Sequence, residues 1–386
     1  MVETSPVEPD PSRIGRHGVG ADDGENATLC PLRVAKSSRK ETMPPDESQW
    51  KALPKVLLHE HLDGGLRPQT LLELCAGSAL HIPASDAAGL SIWMQANAHS
   101  GSLERYLEGF SLTVEAMASP EACERVAFEA AEDARLDGCV LAEFRMAPLL
   151  LESHGVAGEA VVEALISGLD KSALPCGLIV CAMRTDTPDQ TMRSARLAAS
   201  FRGRGVIGFD LAGAERGYPP AMHAEAFAAA RDAGLGITCH AGEADDGSRV
   251  LEAAALGASR IGHGVKIMEA ADARQQSVWL DEARRLGLHF EVCPTSNVHT
   301  GTATSLATHP FRAMADAGLS VSVSTDNRLM SGVTLSGELQ AVHMQNGVTV
   351  ARLGRMMREA ALASFMPAAA REAALQAVDG WIAAQR

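Results

Sequence analysis

With 386 residues, 46% of them apolar, the chain is long enough to bury a sizeable core, yet no uninterrupted apolar stretch reaches the ~20 residues of a bilayer-spanning helix. Thirty-four Lys and Arg against 48 Asp and Glu give a formal charge of −14, which offers no attraction to nucleic acid or an anionic membrane and disfavours a polyanionic substrate. Length alone allows two domains or one large α/β barrel, so the strands must be counted.

Residues 1–46 are rich in Pro, Asp, Glu, Ser, Gly and Arg and hold no period of two or 3.6, which predicts a disordered N-terminal extension. Met43 stands close to the first patterned segment and is a candidate start of translation. The stretch V-L-L-H-E-H-L-D-G-G at 56–65 then opens on a short apolar run, read as a strand, that ends in two histidines. Alternation puts His59 and His61 on one face and Glu60 on the other. Two imidazoles on one face make half of a metal site, and the plainer reading is a buried strand that happens to carry both.

Residues 68–75 read as a helix opened by Pro68. At 102–110, Leu103, Tyr106, Leu107 and Phe110 recur at i, i+3, i+4 and i+7, predicting one amphipathic helix. Such a stripe ordinarily packs into a core; placed in a long insertion after the first strand, it would alternatively form a lid over a pocket.

From there the chain repeats a helix, a Gly-containing turn and a short apolar run. Strands are predicted at 139–145, 178–183, 206–211, 236–240, 260–263, 288–293 and 319–324, which with 56–58 makes eight. Between them lie helices such as 220–233 and 250–256, ended by Gly234 and Gly257. Eight strands separated by helices predict a (β/α)8 TIM barrel with extra helices, the last at about 334–345, 350–365 and 367–385. In the last strand Ser320, Ser322, Ser324 and Asp326 would look into the barrel while Val321, Val323 and Thr325 face the helices. Residues 47–386 are therefore expected to form one catalytic domain. The eight cysteines form no C-x-x-C pair and no secretory signal pattern precedes them, so free thiols and a cytoplasmic location are expected.

The polar residues cluster where strands end, the end at which barrels build active sites. His240 and Glu243 follow the fifth strand in T-C-H-A-G-E, His263 lies in G-H-G at the sixth, and Asp326 and Asn327 follow the eighth in S-T-D-N. A hydrogen-bonded core histidine or a helix cap would explain any one of them. Together, His59, His61, His240 and Asp326 form a mixed nitrogen and oxygen set suited to one Zn2+ per chain, with a position left for water. Water bound there ionises near neutral pH. Glu243, three residues past a ligand, is a candidate proton donor, and His263 would stabilise the hydroxide. Ser296 would bond a ligand from behind, and Cys239 points to the wrong strand face to reach the metal.

H-E-H-L-D-G at 59–64, D-L-A-G at 210–213, H-A-G-E at 240–243, G-H-G at 262–264, C-P-T-S-N at 293–297 and S-T-D-N at 324–327 together resemble the adenosine deaminase family, from about Lys51 to the C-terminal helices. The resemblance implies that His59, His61, His240 and Asp326 bind zinc and that Glu243 protonates purine N1. It also implies that His263 sits beside the hydroxide, that Asp63 lies near the sugar and that the Gly213 backbone donates to N3, with His61 near the substrate as well. The implied reaction is hydrolytic deamination of adenosine or 2'-deoxyadenosine to inosine or 2'-deoxyinosine and ammonia, with a purine nucleoside as small-molecule partner. Alternatives are adenine, aminodeoxyfutalosine, or a purine-binding homologue without turnover. Two departures stand out. Asn327 occupies the place of a second aspartate, and its amide can donate to purine N7 at any pH. Ala214 replaces an acidic residue directly after D-L-A-G. The H-x-E and P-C-x-x-C pattern of the other zinc deaminases is absent.

Overall fold

Runs of apolar and β-branched residues, each closed by glycine or a polar turn, build the inner wall of the molecule. The computed structural model describes residues 47–76 and 82–385; the expected N-terminal extension lies outside them. Eight strands are present: β1 (Lys55–His61), β2 (Cys139–Met146), β3 (Cys176–Met183), β4 (Val206–Ala212), β5 (Gly236–Ala241), β6 (Arg260–His263), β7 (His289–Val292) and β8 (Ser320–Val323). They follow one another in sequence order, each pairing in parallel with the next. The circuit is completed just past β8, where Glu60 bridges Asp326. There the His61 amide donates to the Asp326 carbonyl at 2.7 Å and the Asp326 amide to the His59 carbonyl at 3.0 Å. The fold is a (β/α)8 barrel. Its closing seam carries three of the predicted metal ligands.

The predicted alternation of β8 is visible in its contacts. Ser320 and Ser322 lie 2.8 and 2.9 Å from the two ring nitrogens of His289, while Val321 and Val323 join the main apolar core. Thr325 donates to Glu60 at 2.7 Å, and Arg328 pairs with the same carboxylate, so Glu60 does face away from its flanking histidines.

Two helices differ from expectation. The stripe at 102–110 is divided into Leu103–Glu108 and Phe110–Ala116, because Gly109, a poor helix former, turns back tightly to the Tyr106 carbonyl. The helix expected at 220–233 starts as a 3-10 turn, Pro220–His223, before Ala224–Asp232. His223 is held there by Thr191 on one ring nitrogen and the Arg184 carbonyl on the other. The C-terminal helices, Leu335–Asn346, Val350–Ala363 and Ala368–Ala384, match the pattern closely. Among the described residues no helix is long and apolar enough to cross a membrane.

Candidate active site

The strand ends bring His59, His61, His240 and Asp326 together, with one potential ligand atom from each lying within 4.8 Å of all the others. Three of the four are oriented from behind. His59 Nδ1 lies 3.0 Å from Glu291 on β7, and His240 Nδ1 lies 3.0 Å from Asp210 on β4. Carboxylates in those positions hold the Nδ1 protons and turn bare Nε2 lone pairs to the centre. Ser296 Oγ donates to Asp326 Oδ2 at 2.6 Å, which leaves Oδ1 free.

Two atoms at the heart of this group, His59 Nε2 and Asp326 Oδ1, are buried without any hydrogen-bond partner. They stand 3.4 Å apart. Buried polar atoms are seldom left unsatisfied, so a lone pair and a carboxylate oxygen aimed at one point fit a cation. A second arrangement, His59, His263, Cys293 and Asp326, also brings donors together. Cys293 does not line the pocket described below, and burial, then the Asp326 charge, pushes its thiol well above the usual range. The first group opens on the pocket and suits a centre that must reach a substrate.

Backbone strain marks the same place. His263 and Asp326 have φ of 61° and 60°, and no other non-glycine residue described has a positive φ. The left-handed region is costly for these side chains and is retained where surrounding structure imposes it. Two glycines make room for the cluster. A Cβ on Gly262 would stand 2.9 Å from His59 Cε1, and one on Gly64 would overlap the Asn327 side chain.

Beside the centre, Glu243 is buried with Oε1 facing Asn297 Nδ2 at 3.3 Å and Thr300 Oγ1 at 3.2 Å, while Oε2 lies 3.6 Å from His263 Nε2. Burial first, then the neighbouring Asp326 charge, raises its carboxyl to about 8. It is a carboxylic acid able to give up a proton at neutral pH. Burial lowers His263 to about 4, so that ring is neutral. Asp63 is raised to about 7 by burial and keeps an unpartnered Oδ1.

These groups line one pocket of about 310 Å³, at the small end of the ~300–1,000 Å³ of ligand sites. His61, Asp63, Gly213, His240, Glu243, His263, Asp326 and Asn327 all contribute to its wall, whereas His59 lies beneath it. Leu103, Tyr106, Leu107 and Phe110 line it as well, and the stripe is also core, with Tyr106 inside the main apolar cluster and Phe110 packed against it. Among the described residues no Lys or Arg lines it.

Of the supports, sequence reading found Ser296 and missed the rest. Arg145 on β2 donates to Asp210 at 2.8 Å and to Glu291 at 2.6 Å, clamping both carboxylates that hold the histidines. Burial would raise both carboxyls, but the charges around them, Arg145 included, keep them well below the usual range and ionised. The acid sought at position 214 is found one residue later. Glu215, buried, accepts the backbone amides of Gly242, Glu243, Ala244 and Asp245 at 2.6–3.0 Å, fixing the turn that carries Glu243. An acid two residues past the strand-end glycine was the available signal.

A barrel whose C-terminal mouth joins a four-donor centre to a protonated carboxylic acid is the architecture of a metal-dependent hydrolase. Residues 54–381 match the model of the family described as Adenosine deaminase. Over 308 residues the chain is 44% identical to the adenosine deaminase of Mycobacterium ulcerans, covering 74% of this chain and 83% of that one. Two solved structures share the fold. Arabidopsis ADAL complexed with IMP has a TM-score of 0.77 at 24% identity, covering 88% of this chain and 100% of that one. An amidohydrolase from Burkholderia ambifaria with bound Zn has a TM-score of 0.76 at 23% identity, covering 90% and 97%. The chain belongs to the adenosine deaminase family and is a hydrolytic deaminase.

Proposed function

We propose that the protein deaminates adenosine and 2'-deoxyadenosine to inosine and 2'-deoxyinosine with release of ammonia, using one Zn2+ held by His59, His61, His240 and Asp326. The carrying observation is that this donor group and the protonated Glu243 open on one pocket. Three imidazoles and a carboxylate are a zinc set, and the orphaned His59 Nε2 and Asp326 Oδ1 are accounted for by it. When bound, zinc lowers the pKa of a coordinated water and so supplies the nucleophile at neutral pH.

The chain's own groups do the rest. Glu243 gives its proton to purine N1, which draws electron density from C6 as attack proceeds. His263, neutral and buried, holds the attacking water on the face of the ring. Asn327 offers its amide to N7, and the Gly213 backbone N–H faces N3. Asp63 takes a sugar hydroxyl on its unpartnered oxygen. The pocket favours a neutral nucleoside over a nucleotide, because Asp63 and the absence of a described Lys or Arg in its wall leave a phosphate without a counter-charge. Cys123, Cys139, Cys176, Cys181, Cys239 and Cys293 are free thiols, which fits a reducing cytoplasm and a role in purine salvage.

The test is the rate of ultraviolet absorbance change with adenosine, 2'-deoxyadenosine, adenine and AMP in turn, with products identified by chromatography. The two nucleosides should be converted with kcat/KM at least about 100-fold above adenine and AMP. Preferred turnover of AMP or adenine would overturn the substrate assignment, and no turnover of any by zinc-loaded protein would overturn the activity.

A further inference from the structure

Behind the pocket a chain of buried hydrogen bonds leads up to His263, and its direction can be read from the end farther from the centre. The Phe311 backbone N–H can only donate, and its acceptor is His309 Nδ1 at 3.0 Å. A neutral imidazole carries one proton, so that of His309 must sit on Nε2. Burial, with a smaller effect of His263, lowers His309 to about 3, which keeps the ring neutral throughout the working range.

His309 Nε2 lies 3.2 Å from Asn297 Oδ1 and donates to it. That contact fixes which end of the Asn297 amide is oxygen, an orientation otherwise interchangeable. Asn297 Nδ2 must then face the other way, where it lies 3.1 Å from His263 Nδ1 and 3.3 Å from Glu243 Oε1. An amide nitrogen only donates, so both of those atoms accept.

We propose that His309 and Asn297 are positioning residues: they hold His263 in the tautomer with its proton on Nε2 and direct the acidic proton of Glu243 onto Oε2. Nδ1 of His263 is occupied as an acceptor, which leaves Nε2 as the protonated nitrogen. Oε1 of Glu243 accepts from the Asn297 amide, which can only donate, and this directs the acidic proton to Oε2. His263 Nε2 and Glu243 Oε2 are also the atoms that approach each other, at 3.6 Å, beside the pocket. A protonated Nε2 cannot ligate a metal, so the same relay excludes His263 from the centre and makes it a donor to an oxygen nucleophile. The catalytic benefit rests on the roles given above to Glu243 and His263; the proton placement does not.

The experiment is nitrogen NMR of the zinc-loaded protein with ring-labelled histidine, the signals of residues 263 and 309 being assigned by their loss in His263→Gln and His309→Gln. Both rings should report the neutral tautomer protonated on Nε2. In His309→Leu the His263 signal should move to an averaged value, and kcat should fall about tenfold with KM within a factor of about two and zinc content unchanged. His309→Gln, whose amide can accept from Phe311 and donate to Asn297, should recover most of that loss. A wild-type His263 protonated on Nδ1, or an unchanged spectrum in His309→Leu, would overturn the proposal, and the wild-type spectrum decides even if the leucine variant does not fold. Should Glu243→Gln retain turnover, the catalytic roles fail while the spectrum still judges the proton placement.

Discussion

A glutamate beside a histidine-rich centre would ordinarily be ionised and solvated. Glu243 is neither, because burial and the adjacent Asp326 carboxylate penalise its charge, and two donors on Oε1 satisfy only the half that faces away from the pocket. Its partner His263 is tuned in the opposite sense by the same burial, so the site pairs a neutral acid with a neutral ring near pH 7. Glutamine preserves the shape of Glu243 and its acceptor oxygen but cannot release a proton. Glu243→Gln is therefore expected to keep its full zinc content by elemental analysis while kcat drops by about 100- to 10,000-fold. Turnover equal to the parent would remove Glu243 from the chemistry.

At the scale of the element, β6 shows how tightly the strands are fitted to the centre. Gly262 lies where a methyl group would press on His59 and on the His240 ring. Gly262→Ala should displace those rings, weaken zinc binding measured by chelator competition, and cost about 1–3 kcal/mol of stability in denaturant unfolding. Unchanged zinc affinity would show that the strand has slack. Most strands were legible because their apolar runs are short, regular and punctuated by glycine, and the metal-site residues because they fall at run ends. The apolar stripe at 103–110 was legible but its division into two helices was not, since the turn at Gly109 interrupts no period. The clamp of Arg145 on Asp210 and Glu291 was not legible at all. Its members lie 65 and 146 residues apart on strands β2, β4 and β7, and only closure of the barrel brings them into contact. Pairing across a barrel leaves no local spacing to read.

For the whole molecule, closure and chemistry coincide. The ring is joined where β1 meets the chain beyond β8, and that seam carries His59, His61 and Asp326, with His240 arriving from β5. A cation held there would tie together strand ends more than 260 residues apart in sequence, so its binding energy also stabilises the closed barrel. The polar interior continues below it, where Arg260 joins Glu143 and Glu291 at 2.6 and 2.5 Å and the guanidinium lies over the Phe365 ring. These pairs leave few alternative arrangements for the side chains that support the centre. The measurement that bears most directly on adenosine deamination at a zinc centre is a titration of zinc into chelator-stripped protein with turnover of adenosine followed by absorbance. Activity should be absent at the start, rise in proportion to added zinc and level off at one equivalent per chain. Full turnover by protein shown by elemental analysis to hold no metal would contradict it.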